Sequence, residues 1–474
     1  MPRLPTASAA PAAAAILLAG LVLVWPAFWS GYPLVFSDSA SFLGVMNPWG
    51  QHWARPIFYS LALIPFTLNW TLWPAVVLQG VVMAHLIWLT LRTLGGGVRR
   101  PVFAGVVLLV AAGSSLPWYL GQIMPDFLAP TAVLCAFLLG FGGDRISRLE
   151  RWWLAALLSL SVAAHLSHLP LAAGLAVCVA ALRPPLSGPG THRAALLPMV
   201  AAIAAAMVAH LAVNTVVRGH PTLSPSGSIF MLARSVADGP AKAYLRDACP
   251  EAGYRLCPHV DQLPDDADIF LWERRSPFWT AAGLNEHPER QTADGMNYQP
   301  EAQAILDGTF ERHLGWQAEA ALRNTLRQLA MNDTGDGMSP IHKEMPVSKR
   351  LAEVFPDEHD EYLASRQLTG ALQLDKVNAL HRLAWPAAAL VMLAVAVLRR
   401  SSRYRALAAL VALGILGNAI IMGSISGPHH RYGGRMICLV VLGAAAALAL
   451  PRRRAAETGA GSLAGSASGA SAGY

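Results

Sequence analysis

Residues 101–142 read PVFAGVVLLVAAGSSLPWYLGQIMPDFLAPTAVLCAFLLGFG, and Asp126 is the only charged residue among them. A helix rises 1.5 Å per residue, so about 20 predominantly apolar residues cross about 30 Å of hydrocarbon. Two such runs stand here, roughly 101–119 and 124–142, on either side of a short polar turn. Lipid offers no water to an open amide or carbonyl, so runs of this length must be helices. The pattern recurs along the 474 residues: 54% are hydrophobic, 14% are charged, and the mean hydropathy is +0.40. An ordinary soluble protein is excluded by these values.

About ten runs qualify as spans: roughly 10–30, 70–92, 101–119, 124–142, 152–168, 169–183, 194–217, 383–398, 404–425 and 436–450. The stretch Arg55–Leu68 is short and holds Pro56 and Pro65. It reads as a helix lying in the membrane interface, within an external loop over 31–69. The pair 152–168 and 169–183, with His165-Leu166-Ser167-His168-Leu169-Pro170 between, reads as two short helices. One long tilted helix there would change the parity of every later loop.

Charge supports the ten-span reading. With that count sixteen arginines, from Arg3 through Arg92, Arg99 and Arg100 to Arg452, Arg453 and Arg454, fall on one side. Only Arg55, Arg431 and Arg435 fall in the short loops of the other side. Arginine and lysine mark the cytoplasmic loops, so both termini are expected in the cytoplasm, most simply at a bacterial inner membrane. The first run, with one arginine before it, reads as a signal anchor. The sequence pI is near 9.3, but the basic residues lie mostly in turns between apolar runs, so no nucleic-acid partner is expected.

The expected fold is therefore an all-α polytopic membrane protein: an N-terminal membrane core over 1–217, C-terminal membrane helices over 383–450, and a soluble domain between them. That domain, 218–382, holds 24 of the 29 acidic residues and all four lysines. Its pattern is mixed, with amphipathic helices at Gly239–Ala248 and Gln317–Met331, a short strand or buried turn at Asp268–Trp272, and a flexible loop over Asn332–Ser339. Its two cysteines, Cys249 and Cys257, suit a disulfide in an oxidising compartment, which agrees with a periplasmic position. Two unrelated free thiols are the alternative, and a zinc site has only His259 beside it. The tail 451–474 is mostly alanine, glycine and serine after Arg452–Arg454, and is expected to be a disordered cytoplasmic segment. No Walker loop, dinucleotide fingerprint, HExxH or GxSxG motif stands where its chemistry works.

Against this background a few polar groups are out of place. Asp38 and Asp126 are the only acidic residues before Asp144, and each lies where an apolar run meets water. Topology puts both on the outer face with Arg55 and Tyr59, with His165 and His168, and with His429-His430-Arg431-Tyr432-Gly433-Gly434-Arg435. Each carboxylate also suits a helix start, by capping at Asp38 and through the helix dipole at Asp126. Capping does not account for three external arginines against the charge rule. Carboxylates and arginines meeting at a membrane surface suit activation of a hydroxyl while cations hold a phosphate leaving group.

The set has a familial pattern. An acid in the first external loop, Arg-Pro-x-x-Tyr about seventeen residues later, a second acid after the third span, and Arg-Tyr before a late span resemble the GT-C superfamily of membrane glycosyltransferases. The protein mannosyltransferases and lipid A aminoarabinose transferases belong to it. The likeness covers roughly 10–217 and 383–450 and is one of pattern. It implies transfer of a sugar from a polyprenyl-phosphate donor to a glycan, lipid or protein acceptor at the outer face. It also implies Asp38 as catalytic base or metal contact, Asp126 as second acid, and Arg55, Tyr59, Arg431 and Tyr432 near the donor; His429, His430 and Arg435 join them as binding groups. Many members carry paired acids where this chain has Ser37-Asp38-Ser39, so a divalent cation held by Asp38 and Asp126 is an open expectation. A transporter or lipid flippase, whose substrate path the same charges would line, and a noncatalytic membrane scaffold are the competing classes.

Overall fold

Each apolar run folds as helix because its own carbonyls are the nearest acceptors for its amides. The computed structural model describes residues 9–43, 54–187, 192–273, 275–281, 298–338, 340, 345–399 and 401–449, the side chains at 9, 187, 192–195 and 449 excepted. Arg3, Arg400 and the tail 451–474 lie outside the described residues. Among the described residues 79% are helical and none is in a strand, which fixes the class as all-α. Among the same residues, six helices are long and apolar enough to cross a membrane, as expected of an integral membrane protein.

The first half runs α1 (Ala9–Leu23), α2 (Phe58–Thr67), α3 (Trp73–Gly95), α4 (Arg100–Gly113), α5 (Leu128–Phe141), α6 (Arg148–Ala164), α7 (His168–Ser187) and α8 (His192–Arg218). All fourteen residues of α5 are buried, and it packs against α3, α6, α7 and α8 and against two late helices. It is the axis of the bundle. The break between α6 and α7 falls at 165–167, so 152–183 forms two helices and not one; they pack on each other and on α5. A capping box starts α6: Glu150 donates its backbone N–H to Ser147 Oγ at 3.3 Å, and Ser147 donates its own to Glu150 at 2.8 Å. The same Glu150 carboxylate meets Arg92 at 2.6 Å, tying α3 to α6 at the arginine-rich end.

The last three helices are α14 (Leu374–Leu398), α15 (Ser402–Ile425) and α16 (His430–Ala449), with α9 (Gly227–Asp238), α10 (Pro240–Ala248), α11 (Ala267–Trp272), α12 (Gln299–Ala330) and α13 (Pro346–Val354) between them and α8. Both α15 and α16 reach α5, and α16 also packs on α4 and α14. The outer walls of α8 and α14 expose Val208, Val216, Leu383, Leu390 and Leu393, an apolar face suited to lipid.

Residues 218–382 do not form one body. Helices α9 to α11 and the first half of α12 build a lobe with its own core, centred on Leu232, Leu245, Phe270, Phe278 and Ile305. Cys249 and Cys257 are disulfide-bonded in it. The rest joins the membrane bundle: Val347, Leu351, Phe355 and Tyr362 belong to the bundle core, and α13 packs on the turn Ser37–Ser41. Three readings change here. The region is helical, not mixed, among its described residues. Asp268–Trp272 is neither strand nor turn but helix, because the Asp266 carboxylate caps it, accepting from the amides of Asp268 at 2.7 Å and Ile269 at 3.0 Å. The described part of Asn332–Ser339 is packed: Thr334 and Met338 are buried, and Thr334 N–H donates to Asn378 at 2.7 Å.

Candidate functional site

The site begins with the chain leaving the first run. Leu34 and Gln122 form a bridge, with Leu34 N–H donating to Gly121 O at 2.8 Å and Ile123 N–H to Leu34 O at 2.9 Å. Ser39 then donates its hydroxyl to Ile123 O at 2.8 Å and accepts the Phe36 amide at 2.9 Å. These bonds close the turn Ser37–Ser41, which carries the Asp38 carboxylate. It meets Arg55 Nη2 at 2.5 Å and lies 3.8 Å from Arg431 Nη1. Residues separated by most of the chain thus share one charge centre.

That centre is on the wall of a cavity of about 1420 Å³, a volume suited to a sizeable ligand. Asp38, Arg55, His165, His429, Arg431 and Tyr432 line it. The Arg431 guanidinium stands over the Phe36 ring at 4.4 Å and the Tyr432 ring at 4.8 Å, which fixes its plane. Its Nη2 donates to Tyr432 Oη at 3.1 Å, whereas buried Nη1 has no hydrogen-bond acceptor among the described residues. Arg431 therefore retains donor capacity beside Asp38.

Asp126 lies elsewhere. It is 3% exposed, does not line the cavity, and accepts from Arg435 Nη1 at 3.0 Å. Arg435 is 1% exposed and donates Nη2 to Asn418 Oδ1 at 2.9 Å, while Asn418 donates to Tyr432 O at 2.9 Å. The second carboxylate thus stands behind the cavity, connected to it through the backbone of Tyr432. Tyr59 is also behind the wall: its hydroxyl donates to Gln79 Oε1 at 2.8 Å, and Gln79 bonds the carbonyls of Leu120 and Gln122. His430 accepts the Asp333 amide at 3.0 Å and does not line the cavity. His168 is fully buried, its Nδ1 2.9 Å from Ser161 O.

The two carboxylates do not fit a joint cation site. Each already faces a guanidinium, one in the wall and the other in the bundle, and no group of three His, Cys, Asp or Glu suited to a metal occurs among the described residues.

Three cavity residues were not legible as such. Asp336 accepts the Arg431 amide at 3.1 Å, Asp268 lies 3.2 Å from His429 Nε2, and Arg350 donates Nε to Leu43 O at 3.0 Å. The His429 imidazole holds the Asp268 carboxyl below the usual carboxylate range. All three residues come from 218–382, where charges are too many for one to stand out. Gly337 packs against the Phe36 ring and Gly433 against Met331 O, so the segment 331–338 seats against the head of α16 at contacts that admit no side chain.

No family model, no curated protein and no solved structure matches this chain.

Proposed function

We propose that the protein is a membrane glycosyltransferase of the GT-C kind, moving a sugar from a polyprenyl-phosphate donor to an acceptor at the outer face of a bacterial inner membrane. In this reading about ten spans cross the bilayer, both termini are cytoplasmic, and the lobe with its disulfide is periplasmic. The supporting observation is the charge centre: Asp38 between Arg55 and Arg431 on the wall of a large cavity, with Arg431 Nη1 still lacking an acceptor. Asp38 accepts the hydrogen of an acceptor hydroxyl, which raises the nucleophilicity of its oxygen. Arg55 and Arg431 stabilise negative charge on the departing phosphate. Asp126 acts as a positioning residue, holding Arg435 and through Asn418 the main chain of Tyr432.

The test is release of polyprenyl phosphate from a panel of lipid-linked sugars by the purified protein. Asp38→Asn is expected to lower turnover by roughly 10²-fold or more, the usual share of acid–base assistance. The buried set Asp126, Arg435 and Asn418 favours a second reading, a transporter, since polar groups inside a bundle line substrate paths in such proteins. No release with any donor, together with net solute movement by the wild type in liposomes, would replace the first reading with the second.

A further inference from the structure

Residues 314–330 read LGWQAEAALRNTLRQLA and form the half of α12 beyond its kink at His313, where φ is −127°. At 3.6 residues per turn, positions four apart drift slowly around the helix and make stripes. One stripe, Ala320, Asn324 and Gln328, is buried. A second, Leu314, Ala318, Leu322 and Leu326, is apolar and open, the three leucines being 63%, 61% and 60% exposed. A third, Glu319, Arg323 and Arg327, is charged and open. The helix thus has a face for protein, a face for oil and a face for water.

Its height on the molecule is set by two contacts. A Cβ on Gly423 would lie 2.9 Å from the Asn324 carbonyl, and Gly423 is two residues from the end of α15. Gln328 exchanges two bonds with the backbone of His429, just ahead of α16, each at 2.9 Å. Both α15 and α16 are membrane-length helices, so this half of α12 is level with the place where they leave the hydrocarbon. On α15, the helix it packs against, Leu416, Ile420 and Ile425 are likewise apolar and exposed. A surface of this kind is the geometry of a helix lying in the membrane interface.

We propose that the second half of α12 binds the lipid surface, with Leu314, Leu322 and Leu326 among the acyl chains and Arg323 and Arg327 among the phosphate headgroups. The kink at His313 is where the helix leaves the core of the lobe for the membrane. The lobe is then anchored to lipid on one side of the cavity. This inference rests on the protein being embedded in a bilayer, not on the reaction proposed above.

The test places single cysteines at 314, 318, 322 and 326 and at 319, 323 and 327 of the full chain, with Cys178→Ala to remove the partly exposed thiol. Each is labelled with a nitroxide and reconstituted in nanodiscs of phosphatidylcholine and phosphatidylglycerol. Oxygen concentrates in acyl chains and a nickel chelate stays in water, so the ratio of their collision rates reports depth. The expected result is a ratio severalfold higher on the leucine stripe than on the charged stripe. Equal ratios on both stripes would mean a helix in water and would overturn the proposal. Low collision rates for both reagents on the leucine stripe would mean a protein there, such as a second copy, and would overturn it too. With seven positions on two stripes, failure of one variant to fold leaves the comparison intact.

Discussion

Replacing Asp126 with asparagine separates a structural carboxylate from a chemical one. Asp126 and Arg435 have side chains 4% and 1% exposed and meet at 3.0 Å. Removing one partner of such a pair strands the other charge in a medium that solvates it poorly, at a cost of about 3–5 kcal/mol. In Asp126→Asn the new amide oxygen still accepts one bond from Arg435, and Asn418 still accepts another, so the loss is expected near about 3 kcal/mol. Asp126→Leu with Arg435→Met removes both charges and leaves only Asn418 Oδ1 short of a donor, so the double variant should return to within about 1–2 kcal/mol of wild type. The assay is equilibrium unfolding in mixed micelles, titrating denaturing detergent and following tryptophan fluorescence, with turnover measured on the same samples. Wild-type stability in Asp126→Asn would refute the reasoning. If turnover also vanished, Asp126 would belong to the chemistry and not to the wall behind it.

Two further outcomes follow from the segment 331–338. In Gly433→Ala the new methyl falls on the Met331 carbonyl, so the segment must lift from α16 and Asp336 from the Arg431 amide; the expected cost is about 1–3 kcal/mol, with faster proteolytic cleavage near residue 335, and an unchanged cleavage rate would contradict the packing described. A hydrogen bond from Arg382 holds the Asp333 carboxyl below its ordinary range. A carboxyl depressed by folding contributes stability that is complete above its unfolded value near pH ~3.9 and lost as pH falls through the lower folded value. Asp333→Asn should therefore lower the melting temperature at about pH 6 and converge with wild type below about pH 3; parallel curves at both pH values would show that the pair contributes nothing.

The membrane-length helices were legible because apolar runs have one physical solution in lipid, and 101–142 announces two of them. Asp38, Arg55 and Arg431 were legible for the opposite reason: each is a charge where composition allows almost none. At Asp126 and Tyr59 the outlying polar group is met inside the bundle, by Arg435 and by Gln79, and not on the cavity wall. Within 218–382 contrast is lost. Asp268 and Asp336 are two acids among 24 there, and nothing local distinguishes them from solvated ones. Nor does composition reveal that Val347, Leu351 and Phe355 pack on the bundle while Leu232 and Phe270 pack on each other. At Asp268–Trp272 a short strand or buried turn was expected, and the capping carboxylate of Asp266 decided for a helix.

The charge centre joins Asp38, near the start of the chain, to Arg431, at the head of the last described helix. During synthesis the early helices enter the membrane long before α16 exists, and until it arrives Asp38 lacks Arg431. Contacts of such sequence separation form late, after the loops between them have closed. A nascent or truncated chain without α16 can therefore hold the contacts of α5 with α3, α6, α7 and α8 and still lack the Arg431 side of the cavity wall. Arrival of α16 is itself the step that assembles the site.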